Sequence, residues 1–214
     1  NTFTYMLDGH MRHGDSMGNR GDLGPGGAQW MRAASGVIHS EMPQQESGRM
    51  LGFQLWINLP AALKMSEPEY QEVRPAAVPE IEIGDSLIRV VAGDVFGKTG
   101  PVSDATTEFL FLDIRLPAKG EISIPLEAGR SVFIYPYRGG LQTAGTGIAS
   151  QQLAVLGEGD RFETGAGAEG AGFLLVSGRP IGEPIVQYGP FVMNSREEIE
   201  QAMRDYRDGR LVQR

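Results

Sequence analysis

The sequence predicts an all-β protein: two stacked antiparallel β-barrels with one α-helix at the C-terminal end. Short segments in which apolar and polar residues alternate recur along the 214 residues, and clusters of Gly and Pro separate them. The 30 Gly argue against a mainly helical chain, because Gly destabilises helix interiors. Helical spacing of apolar residues is convincing in only one segment, which follows residue 195.

Eight segments have the alternation of strands: residues 2–7, 50–59, 86–92, 108–116, 122–126, 131–135, 151–156 and 172–177. The clearest is 108–116, in which Leu110, Leu112, Ile114 and Leu116 share one face, so we expect that face to lie in a core. Gly-rich turns at 24–27, 138–140 and 157–160 are typical of tight connections between barrel strands.

Residues 60–85 are rich in Pro and in charged residues, and they predict a linker between two β-units. We expect the boundary between the two units near residue 84. The first domain is then 1–83, an N-terminal barrel with the linker, and the second is 84–214, a C-terminal barrel with the terminal helix. Ser195 and Glu198 form the S-x-x-E pattern of a capping box at the start of that helix. Four apolar residues follow at helical spacing and should pack on a barrel: Ile199, Ala202, Met203 and Tyr206.

The composition excludes several classes of protein. A formal net charge of −8 repels a phosphate backbone, so direct nucleic-acid binding is disfavoured. The chain has no Cys, which excludes disulfides and Cys-ligated metals and is usual in a reducing compartment. No apolar run approaches the roughly 18 residues of a membrane helix, and no signal peptide is visible. We therefore predict a cytoplasmic protein with no membrane partner.

His39 and Glu41 form an H-x-E pattern directly after the apolar pair Val37-Ile38. Alternate residues of a strand point to the same side, so both side chains can converge on one ion, and we expect them to point into the first barrel. Imidazole with carboxylate suits iron, zinc, manganese or nickel, and a second His pair from a neighbouring strand would complete an octahedral centre with open positions. A bare H-x-E is also common on a solvated edge strand. Six apolar residues are candidates for a pocket around the ion, although core packing is the commoner role of each: Phe3, Tyr5, Met31, Met42, Phe53 and Trp56.

The three His of the chain, His10, His13 and His39, all lie in the first predicted barrel, so only that barrel can hold a metal through imidazole. His10 and His13 lie in a polar run that looks like a hairpin end, and their spacing does not direct both to one side of a strand. We expect neither to reach the point shared by His39 and Glu41. A hydrogen bond that supports a metal ligand or fixes a turn is the better interpretation of His13. The second barrel is then structural or binds a partner.

Seven segments carry a resemblance to a known family: Thr4–Gly9, His13–Ser16, Gly26–Met31, Gly36–Pro43, Gln54–Leu59, Ala154–Asp160 and Gln187–Asn194. In this order and spacing they resemble the pirin family of the cupin superfamily, and the bacterial pirin-like proteins within it. The resemblance covers nearly the whole chain, and it implies a bicupin arrangement of the two barrels.

The resemblance also implies a metal site. In pirins three His and one Glu hold a divalent metal, Fe²⁺ above all, and the matching segment carries the last His and the Glu onto His39 and Glu41. The other two ligands belong to a His-Pro-His segment just upstream of the position that Asn1 occupies, and they are not in this sequence. We read the sequence as part of a longer polypeptide, and we expect metal binding by residues 1–214 alone to be weak or absent.

Two functions from different classes fit the resemblance. The first is an enzyme of the quercetin 2,3-dioxygenase type, in which a flavonol substrate binds the metal and Glu41 also accepts the proton of the substrate hydroxyl. The second is a regulatory protein, in which the metal's redox state controls the binding of a transcription-factor complex or a metabolic enzyme. The enzyme is favoured narrowly, because His39 and Glu41 are both present.

Overall fold

The computed structural model describes residues 1–44 and 47–212. The described chain is mostly β-structure, and α1 (Arg196–Arg207) is the only α-helix in these residues, so the predicted all-β class with a C-terminal helix is confirmed. The chain divides into two compact units, residues 1–75 with 181–214, and residues 76–180. This division differs from the expected domains 1–83 and 84–214, since the segment from 181 onward groups with the first unit.

Seven strands form the first part of unit 1: β1 (Thr2–Asp8), β2 (Met11–Asp15), β3 (Arg20–Leu23), β4 (Ala28–Arg32), β5 (His39–Pro43), β6 (Leu51–Trp56) and β7 (Glu69–Val73). They build a four-stranded sheet in the order β6-β1-β4-β7 and a three-stranded sheet in the order β3-β2-β5. All pairings are antiparallel. A small apolar cluster of Met6, Met11 and Leu23 joins strands from both sheets.

The predicted linker 60–85 is wrong in part, because it contains two strands of the sheets. β7 pairs with β4, and β8 (Glu80–Ile83) pairs with β9 (Ser86–Ala92); short 3₁₀ turns at Ala61–Leu63 and Pro75–Ala77 flank β7. β7 and β8 are edge strands, and most of their side chains are exposed. Edge strands often carry charged residues, so their sequences lack the apolar alternation that marks the inner strands.

Unit 2 continues with ten further strands: β10 (Asp94–Val95), β11 (Lys98–Thr99), β12 (Leu110–Leu116), β13 (Glu121–Pro125), β14 (Ser131–Arg138), β15 (Leu141–Thr143), β16 (Thr146–Ile148), β17 (Ala154–Val155), β18 (Arg161–Ala166) and β19 (Ala171–Gly178). A six-stranded sheet in the order β17-β14-β19-β12-β9-β8 and a four-stranded sheet in the order β13-β18-β15-β16 share one apolar core. That core contains Leu110, Leu112, Ile114 and Leu116, as the alternation of β12 predicts.

The last segment of unit 1 contains the hairpin of β20 (Val186–Tyr188) and β21 (Phe191–Met193), followed by α1, which packs on this hairpin. The predicted capping box is confirmed: the Ser195 hydroxyl accepts from the Glu198 backbone N–H, and the Glu198 carboxylate accepts from the Ser195 backbone N–H. On the predicted apolar face of α1 only Ile199 is buried, while Met203 and Tyr206 are exposed. Within the described residues, no helix is both long and apolar enough to cross a membrane.

We expect Ser195→Ala to destabilise α1 by about 1 kcal/mol, because the substitution leaves the Glu198 N–H without its acceptor. Urea unfolding followed by circular dichroism measures this change. Ser195→Thr is the matched control, since Thr also caps helices and should retain most of the stability. An unchanged midpoint for Ser195→Ala would show that the cap contributes nothing.

Candidate metal centre

β5 places the H-x-E pair on a strand, as predicted. β5 pairs with β2 so that His39 lies opposite Asp15 and Glu41 lies opposite His13. Cross-strand partners share a face of a sheet, and so do residues two apart on one strand. His39 and Glu41 therefore lie on the same face of the three-stranded sheet, together with His13 and Asp15.

The Glu41 carboxylate is held by two side chains of the other sheet. The Gln54 amide Nε2 lies 2.9 Å from Glu41 Oε1 and 2.7 Å from Oε2, and the Thr4 hydroxyl lies 3.3 Å from Oε1. Gln54 Nε2 also lies 3.2 Å from Thr4 Oγ1. A carboxylate has about four lone-pair positions, so these three contacts from two side chains leave one position open, on Oε2. Glu41 can thus offer one oxygen to a metal while it keeps all three hydrogen bonds.

His13 is fully buried beneath this pair, and hydrogen bonds occupy both of its ring nitrogens. Its Nε2 lies 3.1 Å from Asp15 Oδ2, and its Nδ1 lies 2.9 Å from the Gln29 amide Nε2. A carboxylate can only accept and an amide nitrogen can only donate, so in these contacts Nε2 donates to Asp15 and Nδ1 accepts from Gln29. Its ring stacks on that of His39, with 5.8 Å between the centroids. His13 supports the His39 ring and has no nitrogen left for a metal.

Asp15 connects His13 to the turn between β2 and β3, which confirms the turn-fixing interpretation of His13. The Asp15 carboxylate accepts from the backbone N–H groups of Met17 and Asn19 and from the Asn19 side-chain amide. Burial raises the pKa of Asp15, but hydrogen bonds from Asn19, His13 and Met17 outweigh it, so the pKa lies below its usual value. Asp15 is therefore charged and keeps the orientation of His13 fixed.

Tyr70 of β7 covers the other face of the His13 ring, with 4.9 Å between the ring centroids. Burial, with smaller contributions from Glu72 and Asp15, raises the pKa of Tyr70 to about 12, so the phenol is neutral. Its buried hydroxyl has no hydrogen-bond partner among the described residues, and it lies directly over the Cα of Gly21, where any side chain would overlap it. A Gly at position 21 is what lets the Tyr70 ring reach His13.

Each strand of the four-stranded sheet contributes one side chain to this centre: Gln54 from β6, Thr4 from β1, Gln29 from β4 and Tyr70 from β7. The cross-strand register puts all four on one face of that sheet. None of the four was predicted from the sequence as a site residue. A signal is present, however: Thr4, Gln29 and Gln54 are each polar residues with apolar neighbours on both sides in the sequence.

The sequence predicts that His39 and Glu41 both point into the interior of the first barrel. In the structure neither side chain is fully buried. His39 is exposed and Glu41 is half-buried. The reason is that β5 is an edge strand of the three-stranded sheet, so one of its sides lacks a neighbouring strand in the described chain. The His10 side chain is 44% exposed, and it lies 3.6 Å from Asp22, outside this group of residues, as expected.

The six apolar pocket candidates do not form one wall. Phe3, Tyr5 and Phe53 lie on the face of the four-stranded sheet opposite to Thr4. Met42 and Trp56 are exposed by 59% and 51%. Only Met31 combines burial with a position on the Thr4 face, because it pairs with Thr2.

His39 and Glu41 are of the residue types that bind divalent metals, but two ligands are too few to fill the coordination sphere of such a metal. One imidazole and one carboxylate with an open oxygen position, on the same face of a strand, match the mixed nitrogen and oxygen ligation of iron, manganese, nickel and zinc. No group of three or more His, Cys, Asp or Glu suited to a metal occurs among residues 1–44 and 47–212. His39 and Glu41 therefore offer two donors of the types that such a metal takes, and the described residues add no third.

Known proteins are similar to this chain in both sequence and fold. The pirin family profile matches residues 1–57, and the profile of the pirin C-terminal cupin domain matches residues 111–212. A protein of Pseudomonas aeruginosa named "Putative quercetin 2,3-dioxygenase PA3240" is 50% identical, covering 99% of this chain and 76% of its own length. The chain belongs to the pirin family.

Two further comparisons extend this result. A pirin-like protein of Caulobacter vibrioides is 44% identical over 98% of this chain and 76% of its own length. The crystal structure of quercetin 2,3-dioxygenase from Acinetobacter baumannii superposes with a TM-score of 0.93 at 31% identity, covering 98% of this chain and 75% of that one. The pirin resemblance and the bicupin fold predicted from sequence are confirmed.

Proposed function

We propose that this pirin is a metal-dependent oxygenase of the quercetin 2,3-dioxygenase type that acts on flavonols, with its metal held by His39 and Glu41. The observation that carries the proposal is the orientation of the Glu41 carboxylate by Gln54 and Thr4 beside His39. The Gln54 amide comes from the other sheet and fixes the orientation of the carboxylate. Side chains that bind metals are commonly held by such hydrogen bonds. The 50% identity to a protein named as a quercetin 2,3-dioxygenase supports the choice of substrate class.

We further propose that Fe²⁺ is the metal and that two His from a His-Pro-His segment, placed before Asn1 in the family, complete the ligand set. When bound, the metal supplies a Lewis acid for the flavonol oxygens and an electron route to O₂. His39 then contributes a nitrogen whose ring position is fixed by the buried His13 beneath it.

Glu41 has a second role in the proposal as the acceptor of the flavonol hydroxyl proton. Its one open lone-pair position is on Oε2, so a proton and a metal compete for that position unless a hydrogen bond is released. The contact from Thr4 to Oε1 is the longest of the three at 3.3 Å, and it is the one to release. The proton of the substrate hydroxyl can then move to Oε1, and Oε2 remains available to the metal.

A regulatory role remains the second candidate, and the exposure of His39 favours it. An exposed ligand lets a change at the metal alter a surface that another protein can contact. The two proposals are separated by activity: turnover of a flavonol with O₂ supports the enzyme, whereas redox-dependent binding of a transcription-factor or metabolic-enzyme partner without turnover supports the regulator. The test uses the protein with the family's His-Pro-His segment present before Asn1, loaded with Fe²⁺.

We expect Gln54→Ala to weaken metal binding about 10- to 100-fold, because Glu41 loses the amide that fixes both of its oxygens. Competition with a chromogenic chelator measures this affinity independently of activity. Gln187→Ala, which removes an exposed Gln of β20 in the same unit, is the control and should leave the affinity unchanged. Equal affinities for the two variants would show that the Glu41 carboxylate needs no support from Gln54.

A further inference from the structure

Unit 2 contains a cavity of about 510 Å³ that the flavonol proposal does not use. Its wall is formed by residues 108–110 where β12 begins, residues 125–127 where β13 ends, residues 103–105, Arg130 before β14, Ser177 of β19 and the β10–β11 hairpin. β13 belongs to the four-stranded sheet and the other long strands belong to the six-stranded sheet, so the cavity opens between the two sheets at one end of the barrel. Small molecules bind preferentially in such barrel mouths, in cavities of roughly 300–1,000 Å³.

The cavity combines an apolar wall with an excess of negative charge. Phe109 and Leu110 provide buried apolar surface, and Leu126 adds a partly buried side chain. Four carboxylates line the cavity and only one cation does: Asp94, Asp104, Glu108 and Glu127 against Arg130. A second cation outside the wall, Arg179, also pairs with Glu108, and counting it still leaves an excess of two negative charges.

The four carboxylates differ in the ion pairs and hydrogen bonds that they already make within the protein. Arg130, whose side chain is only 9% exposed, pairs with both Glu108 and Glu127. Asp104 accepts from the Thr106 backbone N–H and the Thr107 hydroxyl. Asp94 is exposed at the rim and accepts from the Thr99 hydroxyl, a neutral group. Asp104 is buried, so Asp94 is the lining carboxylate that is both exposed and hydrogen-bonded to a neutral group, and a ligand cation can reach its charge.

An aromatic ring at the rim of the cavity has an unfavourable backbone conformation. Phe96 and Gly97 form the two-residue turn between β10 and β11, and their φ angles are +49° and +72°. Such turns favour Asn or Asp before Gly, because a bulky side chain at positive φ is destabilising. Phe96 is also 44% exposed, so its ring gains little from burial in the fold. An exposed aromatic at a costly turn position beside a cavity indicates a role in binding.

We propose that this barrel mouth binds a small organic cation, an amine or amidinium group on an apolar or aromatic body. The cationic group pairs with Asp94, the Phe96 ring covers it through a cation–π contact, and the apolar body enters between Phe109 and Leu126. The size of the cavity suits one small molecule. This site is distinct from His39 and Glu41, which lie in unit 1, and it does not depend on the proposed oxygenase activity.

The test compares benzamidinium, an aromatic cation, with benzamide, its neutral analogue of the same shape. Calorimetry on the 214-residue chain should give benzamidinium an affinity at least tenfold higher than that of benzamide, and added NaCl should weaken it. Amide chemical shifts of Asp94, Phe96 and Glu108 should change on titration. No binding of benzamidinium, equal binding of benzamide, or shifts confined to other residues would each overturn the proposal.

Two substitutions locate the site. Phe96→Asn places a favoured residue in the turn, so the thermal midpoint should not fall, while benzamidinium binding should weaken at least tenfold. Asp94→Asn keeps an acceptor for Thr99 but removes the charge, and it should weaken binding by a similar factor. Asp85→Asn, which removes an exposed carboxylate from the β8–β9 turn of the same unit, is the matched control. If Asp85→Asn lowers the affinity as much as Asp94→Asn does, the attraction is non-specific and the proposal is wrong.

Discussion

We expect His39→Ala and Glu41→Gln each to lower flavonol-dependent O₂ consumption by about 10²–10⁴-fold in the metal-loaded protein. His39→Ala removes a nitrogen ligand. Glu41→Gln removes the charge of the carboxylate and turns an amide nitrogen or a neutral oxygen toward Gln54, which at present donates to both Glu41 oxygens. Oxygen-electrode measurements with quercetin, on protein carrying the family's His-Pro-His segment before Asn1, give the rates.

His10→Ala is the matched control for this prediction. The His10 side chain is partly exposed and lies beside Asp22, so its removal takes one imidazole from the chain without touching the candidate centre. Its rate should equal that of the unsubstituted protein. All variants should unfold cooperatively at similar denaturant concentrations, since neither His39 nor Glu41 belongs to an apolar core. A His39→Ala protein with full activity would remove this imidazole from the mechanism.

The sequence was sufficient to place His39 and Glu41 on one face of a strand. An i, i+2 pair needs only the alternation of a strand, and β5 provides it for His39 and Glu41. Likewise, the alternation of 108–116 identified core residues of unit 2, and Ser195 with Glu198 identified the start of α1, because both patterns depend on neighbouring positions in the chain.

The rest of the site depends on which strands face each other, and alternation within a strand does not contain that information. Gln54 reaches Glu41 and Gln29 reaches His13 only because the two sheets of unit 1 face each other. Tyr70 was missed for a different reason, since it lies on an edge strand whose charged sequence resembles a linker. The exposure of His39 likewise follows from the edge position of β5, which is a property of sheet order.

We expect Gly139→Ala to destabilise the protein by more than about 3 kcal/mol, a size reached when strain at a special φ is combined with overpacking. Gly139 lies in the predicted 138–140 turn that connects β14 and β15, with a φ of +66°. A Cβ at this position would overlap the backbone carbonyl oxygen of Gly170, and the Ala171 Cα is 3.2 Å away. Neither is a side chain that can rotate aside, so the turn or β19 must shift.

Gly145→Ala separates the two contributions. Gly145 has a similar φ of +77° in the turn between β15 and β16, but a Cβ there meets no atom within 4 Å. Its cost should be the left-handed backbone alone, about 1–2 kcal/mol. Urea unfolding of both variants therefore measures the overlap with Gly170 as a difference. If the two substitutions cost the same, backbone conformation and not close packing selects Gly at position 139, and the contact between the β14–β15 turn and the start of β19 is looser than the structure indicates.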